Sequence, residues 1–180
     1  MKQILKNLTI TAMFFALGFV LPFLTGQIPQ IGSMLLPMHI PVFLCALICG
    51  WQYAVPMSFI LPLFRSAIMT MPPMYPTAIS MAFELAAYAL VTGLLYKLIK
   101  NRGVVSVYIS LVVGMLAGRA VWGLTRLVML GISGTEFGIG AFFAGAFTQA
   151  FPGIIVQLIL IPAIMIALDK TKVVPFKRQQ

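Results

Sequence analysis

Apolar runs separated by short hydrophilic gaps fill nearly the whole of this chain, and no other feature limits its fold so severely. Of 180 residues, 61% are hydrophobic and only 8% charged, whereas about a quarter of an average soluble domain is charged. A water-soluble globule would have to expose these runs and is excluded. The apolar content is spread along the chain rather than gathered into one anchor, which predicts a single membrane domain over residues 1–180.

A helix crossing the hydrocarbon core needs about 20 apolar residues, fewer where protein surrounds it. The gaps mark six candidates: Leu8–Leu24, Leu35–Cys49, Ala54–Met69, Thr77–Leu98, Val104–Leu130 and Ala141–Leu168. The second and third are short and hold Pro41, Pro56 and Pro62 within or near them, so one could be tilted or broken, and five spans is the competing count. Met1–Leu24 has the outline of a signal peptide. It lacks a convincing cleavage site after Leu21-Pro22 and reads better as the first span.

Basic residues set the orientation. Lys2 and Lys6 precede the first run, Lys97, Lys100 and Arg102 follow the fourth, and Lys170, Lys172, Lys177 and Arg178 follow the sixth. With six spans these nine of the twelve basic residues fall on one side. The opposite loops, Thr25–Met34, Thr70–Pro76 and Gly131–Gly140, contain no Lys or Arg. The positive-inside rule then predicts an all-α integral membrane protein with six transmembrane helices and both termini cytoplasmic. The net charge of +9 is topological bias on this reading, with no nucleic-acid partner.

Arg65, Arg119, Arg126 and Glu84 lie inside apolar segments, where an ionisable group costs several kcal/mol and marks a candidate functional site. Counted at about 1.5 Å per residue, all four fall in the outer half. His39 joins them from the second run, and Thr148 and Gln149 from the sixth. Polar groups from five helices thus meet on the outer side while the inner halves read as plain Leu, Ile, Val and Ala. That pattern predicts a pocket open to the outside, not a channel through the full thickness.

On the fifth helix Arg119, Trp122 and Arg126 share one face by their spacing. An aromatic ring between two guanidinium groups suits a planar ligand bearing a carboxylate or phosphate. Ser80, Glu84 and Tyr88 form a polar line on the fourth helix. The structural alternative is an Arg65–Glu84 ion pair joining the third and fourth helices, with Arg126 reaching out to the interface. Three arginines against one glutamate favour an anionic ligand. The outer loops Gly26–Ser33 and Met69–Pro76, uncharged and rich in Gly, Pro or Met, have the character of lids, the second including Tyr75.

Catalytic equipment is missing from the sequence. It has no phosphate-binding G-x-x-x-x-G-K-[ST] loop, no H-E-x-x-H, and three acidic residues in all, so no enzymatic activity, metal or cofactor is expected. Cys45 and Cys49 have neither the spacing nor the companions of a zinc or redox site and read as packing residues.

The chain resembles the substrate-binding S components of bacterial energy-coupling factor (ECF) vitamin transporters, over essentially its whole length. The residues that carry the resemblance are Ala12-Met13-Phe14-Phe15-Ala16, the segment Gly32–Pro41, and the segment Met71–Thr77 leading to Glu84. In that family an A-x-x-x-A pair docks on the transmembrane coupling subunit, which assigns Ala12 and Ala16 that role here; small residues one turn apart allow close helix approach. The resemblance implies capture of a vitamin or precursor at the outer face of the bacterial cell membrane. The loaded subunit would then rotate in the bilayer against a coupling subunit driven by two ATP-binding cassette ATPases.

The substrate identity does not transfer. The arginine excess puts pantothenate first, ahead of a corrinoid, a pyridoxine form or a riboflavin-like planar vitamin. The candidate substrate contacts are Arg119, Trp122, Arg126, Arg65, Glu84, Tyr88, His39, Gln149 and Tyr75. A bacterial membrane scaffold of cell-shape machinery, binding other membrane proteins and no small molecule, is the alternative from a different class.

Overall fold

A computed structural model describes residues 2–25, 34–99, 103–132, 140, 144–148 and 150–171. Among them are six α-helices and no strand: α1 (Lys2–Val20), α2 (His39–Ile48), α3 (Trp51–Met69), α4 (Ile79–Leu98), α5 (Val104–Ile132) and α6 (Phe151–Lys170).

Backbone chemistry explains most of the boundaries. Pro22 has no N–H to donate back into the helix, and α1 tightens into a 3-10 turn over Leu21–Thr25. Leu36 takes a left-handed φ of 50°, so the helix expected from Leu35 starts only at His39. Gly50, at φ 91°, breaks the chain between α2 and α3 in a conformation that glycine adopts at least cost. The result is an α2 of ten residues, about 15 Å long, half the thickness of a hydrocarbon core. In α3 both Pro56 and Pro62 are accommodated inside the helix, and left-handed Thr70 ends it, its N–H donating to the Ser66 carbonyl at 2.9 Å. The expected sixth run from Ala141 divides into a π-turn, Ala144–Thr148, and an α6 that begins ten residues late at Phe151. Pro152 lies in its first turn, where a missing N–H costs nothing.

The expected count of six spans is therefore met only in part. Among the described residues four segments, Gln3–Phe23, Met74–Leu98, Val104–Gly131 and Phe151–Lys170, are long and apolar enough to cross a membrane. The ten-residue α2 is too short. α3 has the length but dilutes its apolar residues with Gln52, Ser58, Arg65, Ser66 and two prolines.

Helix α4 is central, packing against α5, α3 and α2; α1 leans on α2 and α3, and α6 on α5 and α2. The common core includes Phe43, Leu61, Leu85, Tyr88, Leu111 and Ile161, each almost wholly buried. Large apolar side chains such as Leu5, Val105, Leu124 and Ile159 face outward, as expected where lipid replaces water.

The α4–α5 contact rests on Gly114 and Gly118, one turn apart. A Cβ at Gly118 would overlap the Tyr88 ring, and one at Gly114 the Thr92 hydroxyl. Small residues spaced this way let two membrane helices approach until their backbones nearly touch. Thr92 Oγ1 uses the proximity to donate to the Ser110 carbonyl at 3.2 Å.

Candidate functional site

The close α4–α5 packing sets the position of the polar cluster, because Arg119 follows Gly118 directly and Glu84 lies one turn before Tyr88. Arg119 Nη1 sits 2.8 Å from Glu84 Oε1, and the Tyr88 hydroxyl donates to the same oxygen at 2.7 Å. His39, the first residue of α2, brings Nε2 to 3.9 Å from it. All four side chains are buried. The Tyr88 ring is held between His39 and Phe43, with centroids 5.4 and 5.0 Å away. Both ring nitrogens of His39 are buried without a hydrogen-bond partner, and orphans of this kind are rare enough in folded proteins to need a reason.

A second polar station lies farther out on the same pair of helices. Arg126 Nη2 donates to Thr77 Oγ1 at 3.1 Å, its guanidinium carbon is 5.2 Å from the Trp122 ring centroid, and its buried Nε has no partner. Trp122 is itself buried and abuts Gly145 of the π-turn so closely that a Cβ there would meet the indole. Seven residues separate Glu84 on α4 from Thr77 in the π-turn Met74–Ala78 that leads into it, and seven separate Arg119 from Arg126 on the opposed α5. The stations are therefore two rungs of one ladder, about 10 Å apart.

Arg65 belongs to neither. It donates to the Phe19 carbonyl at 2.6 Å, satisfying the last turn of α1, with its guanidinium 5.2 Å from the Phe23 ring centroid. The considered Arg65–Glu84 ion pair is not formed: the carboxylate meets Arg119 instead, because the two glycines bring α5 to it. Arg126 likewise turns onto Thr77 and Trp122 rather than simply reaching for the interface. Tyr75 donates its hydroxyl to the Met129 carbonyl, tying the segment between α3 and α4 to the end of α5. Ser80 is turned onto the Thr77 carbonyl at 3.0 Å, and Thr148 is exposed. Gln149 lies outside the described residues.

Sequence reasoning passed over Thr77 and Gln157. Gln157 is fully buried on α6 with its amide nitrogen unpartnered; a lone amide inside Ile-Ile-Val-Gln-Leu-Ile-Leu was the available signal. It shares a buried stripe with Gly153, Ile161 and Met165, and Gly153 fits against the carbonyls of Met34 and Leu35, just before α2.

Among the described residues no three His, Cys, Asp or Glu side chains gather as a metal site would require. Cys45 and Cys49 are buried free thiols, the former donating to Thr11 Oγ1 at 3.7 Å. The site is equipped to hold a molecule by hydrogen bonds, one available cation and an aromatic surface.

These features define a helical membrane protein with a buried, charge-paired polar cluster. The chain matches the family model for the ECF transporter substrate-specific component over residues 6–165 and belongs to that family. No curated protein and no solved structure matches it. Membership makes it a transport subunit that works with an ECF module of transmembrane and ATPase subunits.

Proposed function

We propose that this subunit captures a vitamin or vitamin precursor at the outer face of a bacterial cell membrane for import powered by two partner ATPases. The match over residues 6–165 carries the transport role and favours it over a cell-shape scaffold. For the cargo, the supporting observation is charge: Glu84 neutralises Arg119 and Arg65 is spent on a carbonyl, which leaves Arg126 with an unpartnered donor. An anion is the preferred ligand, with pantothenate first and another anionic or planar micronutrient behind it. Arg126, Trp122, His39, Glu84, Arg119, Tyr88 and Tyr75 form or close the site, and Arg65 and Gln149 remain candidate contacts by sequence.

The remaining topology follows the basic residues: six membrane passes, two of them by the short, buried α2 and the proline-bearing α3, which turns Ile60, Phe64 and Ile68 outward, and both termini cytoplasmic. On α1, Ala12 and Ala16 are exposed while Phe14 and Gly18 turn inward, an outward face suited to the coupling subunit. The loaded subunit rotates in the bilayer to deliver its cargo.

A thermal-shift screen of the detergent-purified protein against B vitamins and precursors tests this reading, since a tight ligand stabilises by mass action. Pantothenate should raise the melting temperature. A folded protein that shifts with no compound of the panel would overturn the vitamin reading.

A further inference from the structure

Two buried side chains, His39 beside Glu84 and Gln157 on α6, carry nitrogens that make no hydrogen bond. The His39 ring packs on Tyr88 and its Nε2 lies 3.9 Å from Glu84, yet neither ring nitrogen is hydrogen-bonded; the buried Gln157 amide nitrogen has no hydrogen-bond partner either. Burying such groups without partners costs free energy that a ligand could return. His39 lies at the inner rung, beside Glu84 and Arg119. Gly153 packs against the Leu35 carbonyl, which sets α6 beside the segment leading into α2, and Gln157 lies one helical turn beyond Gly153 on the same buried stripe.

The rungs differ in charge. At the inner one Glu84 and Arg119 cancel, and a ligand carboxylate brought there would meet the Glu84 carboxylate in a low-dielectric setting. At the outer rung Arg126 has only the neutral Thr77 hydroxyl and the Trp122 face as described partners.

From this asymmetry we infer that the cargo is a two-ended monoanion about 10 Å long. Its carboxylate is held by Arg126 and Thr77, and its opposite end is an uncharged group bearing both donors and acceptors, such as an amide, a ureide or a hydroxylated chain, received by His39 and Gln157. Trp122 lies between the rungs on α5 and packs along the middle of the ligand. The uncharged end enters first and the carboxylate last. This inference rests on the capture reading and adds the ligand's polarity, length and orientation.

Binding of matched acid and neutral pairs tests it: pantothenate against pantothenol, biotin against biotin amide, and nicotinate against nicotinamide, titrated calorimetrically into the intact detergent-solubilised protein. The expected result is that the longer acids, pantothenate or biotin, bind at least tenfold more tightly than their neutral partners, and that nicotinate, too short to reach both rungs, binds weakly. Arg126→Gln should collapse the acid-to-neutral ratio towards one. His39→Phe and Gln157→Leu should weaken acid and neutral forms by the same factor and preserve the ratio. Should Arg126→Gln fail to fold, Thr77→Glu, which sets a carboxylate beside an intact Arg126, must abolish the acid preference.

A neutral partner bound as tightly as its acid, or an acid preference that survives Arg126→Gln or Thr77→Glu, overturns the two-ended assignment while leaving capture intact. So does a ratio that changes in His39→Phe as much as in Arg126→Gln. A folded wild-type protein that binds none of the six compounds overturns this inference, and the capture reading falls with it when the full vitamin panel gives no thermal shift either.

Discussion

Glu84 accepts from Arg119 and Tyr88 through one oxygen, with His39 close to the same atom, so its removal leaves a buried guanidinium without its counter-charge. Breaking a buried pair from one side costs about 3–5 kcal/mol, whereas removing both partners costs less than the two losses combined. Glu84→Ala and Arg119→Ala should therefore each lower the melting temperature sharply, and the double variant should be more stable than additivity allows; strictly additive melts in detergent would refute the pairing. The shared face of Arg119, Trp122 and Arg126 was legible from helical spacing alone. Which arginine would meet Glu84 was not, since Arg65 stands at a similar depth and only the packing of whole helices separates the two. Gln157 escaped notice because the inner halves of the helices read as plain Leu, Ile, Val and Ala, and one amide does not disturb that pattern.

The element that places the cluster is the α4–α5 pair. Tyr88 is confined by His39 and Phe43 and cannot retreat from a new methyl group, so Gly118→Ala should force the helices apart and lengthen the Glu84–Arg119 contact. Overpacking of this kind costs about 1–3 kcal/mol. The expected outcome is a lower melting temperature together with weaker ligand binding, while Gly131→Ala, with open space around it, should melt like the wild type. The G-x-x-x-G pattern at Gly114 and Gly118 was present in the sequence as a packing signal. Helix number was legible from the apolar runs, and helix extent was not. A left-handed Leu36 and the π-turn at Ala144–Thr148 are local backbone choices that hydropathy does not encode, and they shortened the second and sixth helices.

At the scale of the whole molecule, inner packing and outer contacts are separable. Leu8, Ala12, Ala16 and Val20 form an exposed line along α1, so Ala12→Leu with Ala16→Leu should leave melting and ligand binding unchanged while reducing co-purification with the coupling subunit; retained assembly would discount this face. Rotation in the bilayer makes a different demand, that the outer loops carry little charge through lipid. Met71→Lys with Met74→Lys should abolish uptake and spare binding, and normal uptake would argue against rotation. The ladder across α4 and α5 has a consequence for inheritance. Gly114, Gly118 and Thr92 hold the helices together below, the Glu84–Arg119 rung cross-links them at mid-height, and Thr77 and Arg126 occupy a rung of their own at the rim. On the two-ended assignment, changes at Thr77 and Arg126 alone would redirect the subunit to a new nutrient while the scaffold beneath them is left untouched.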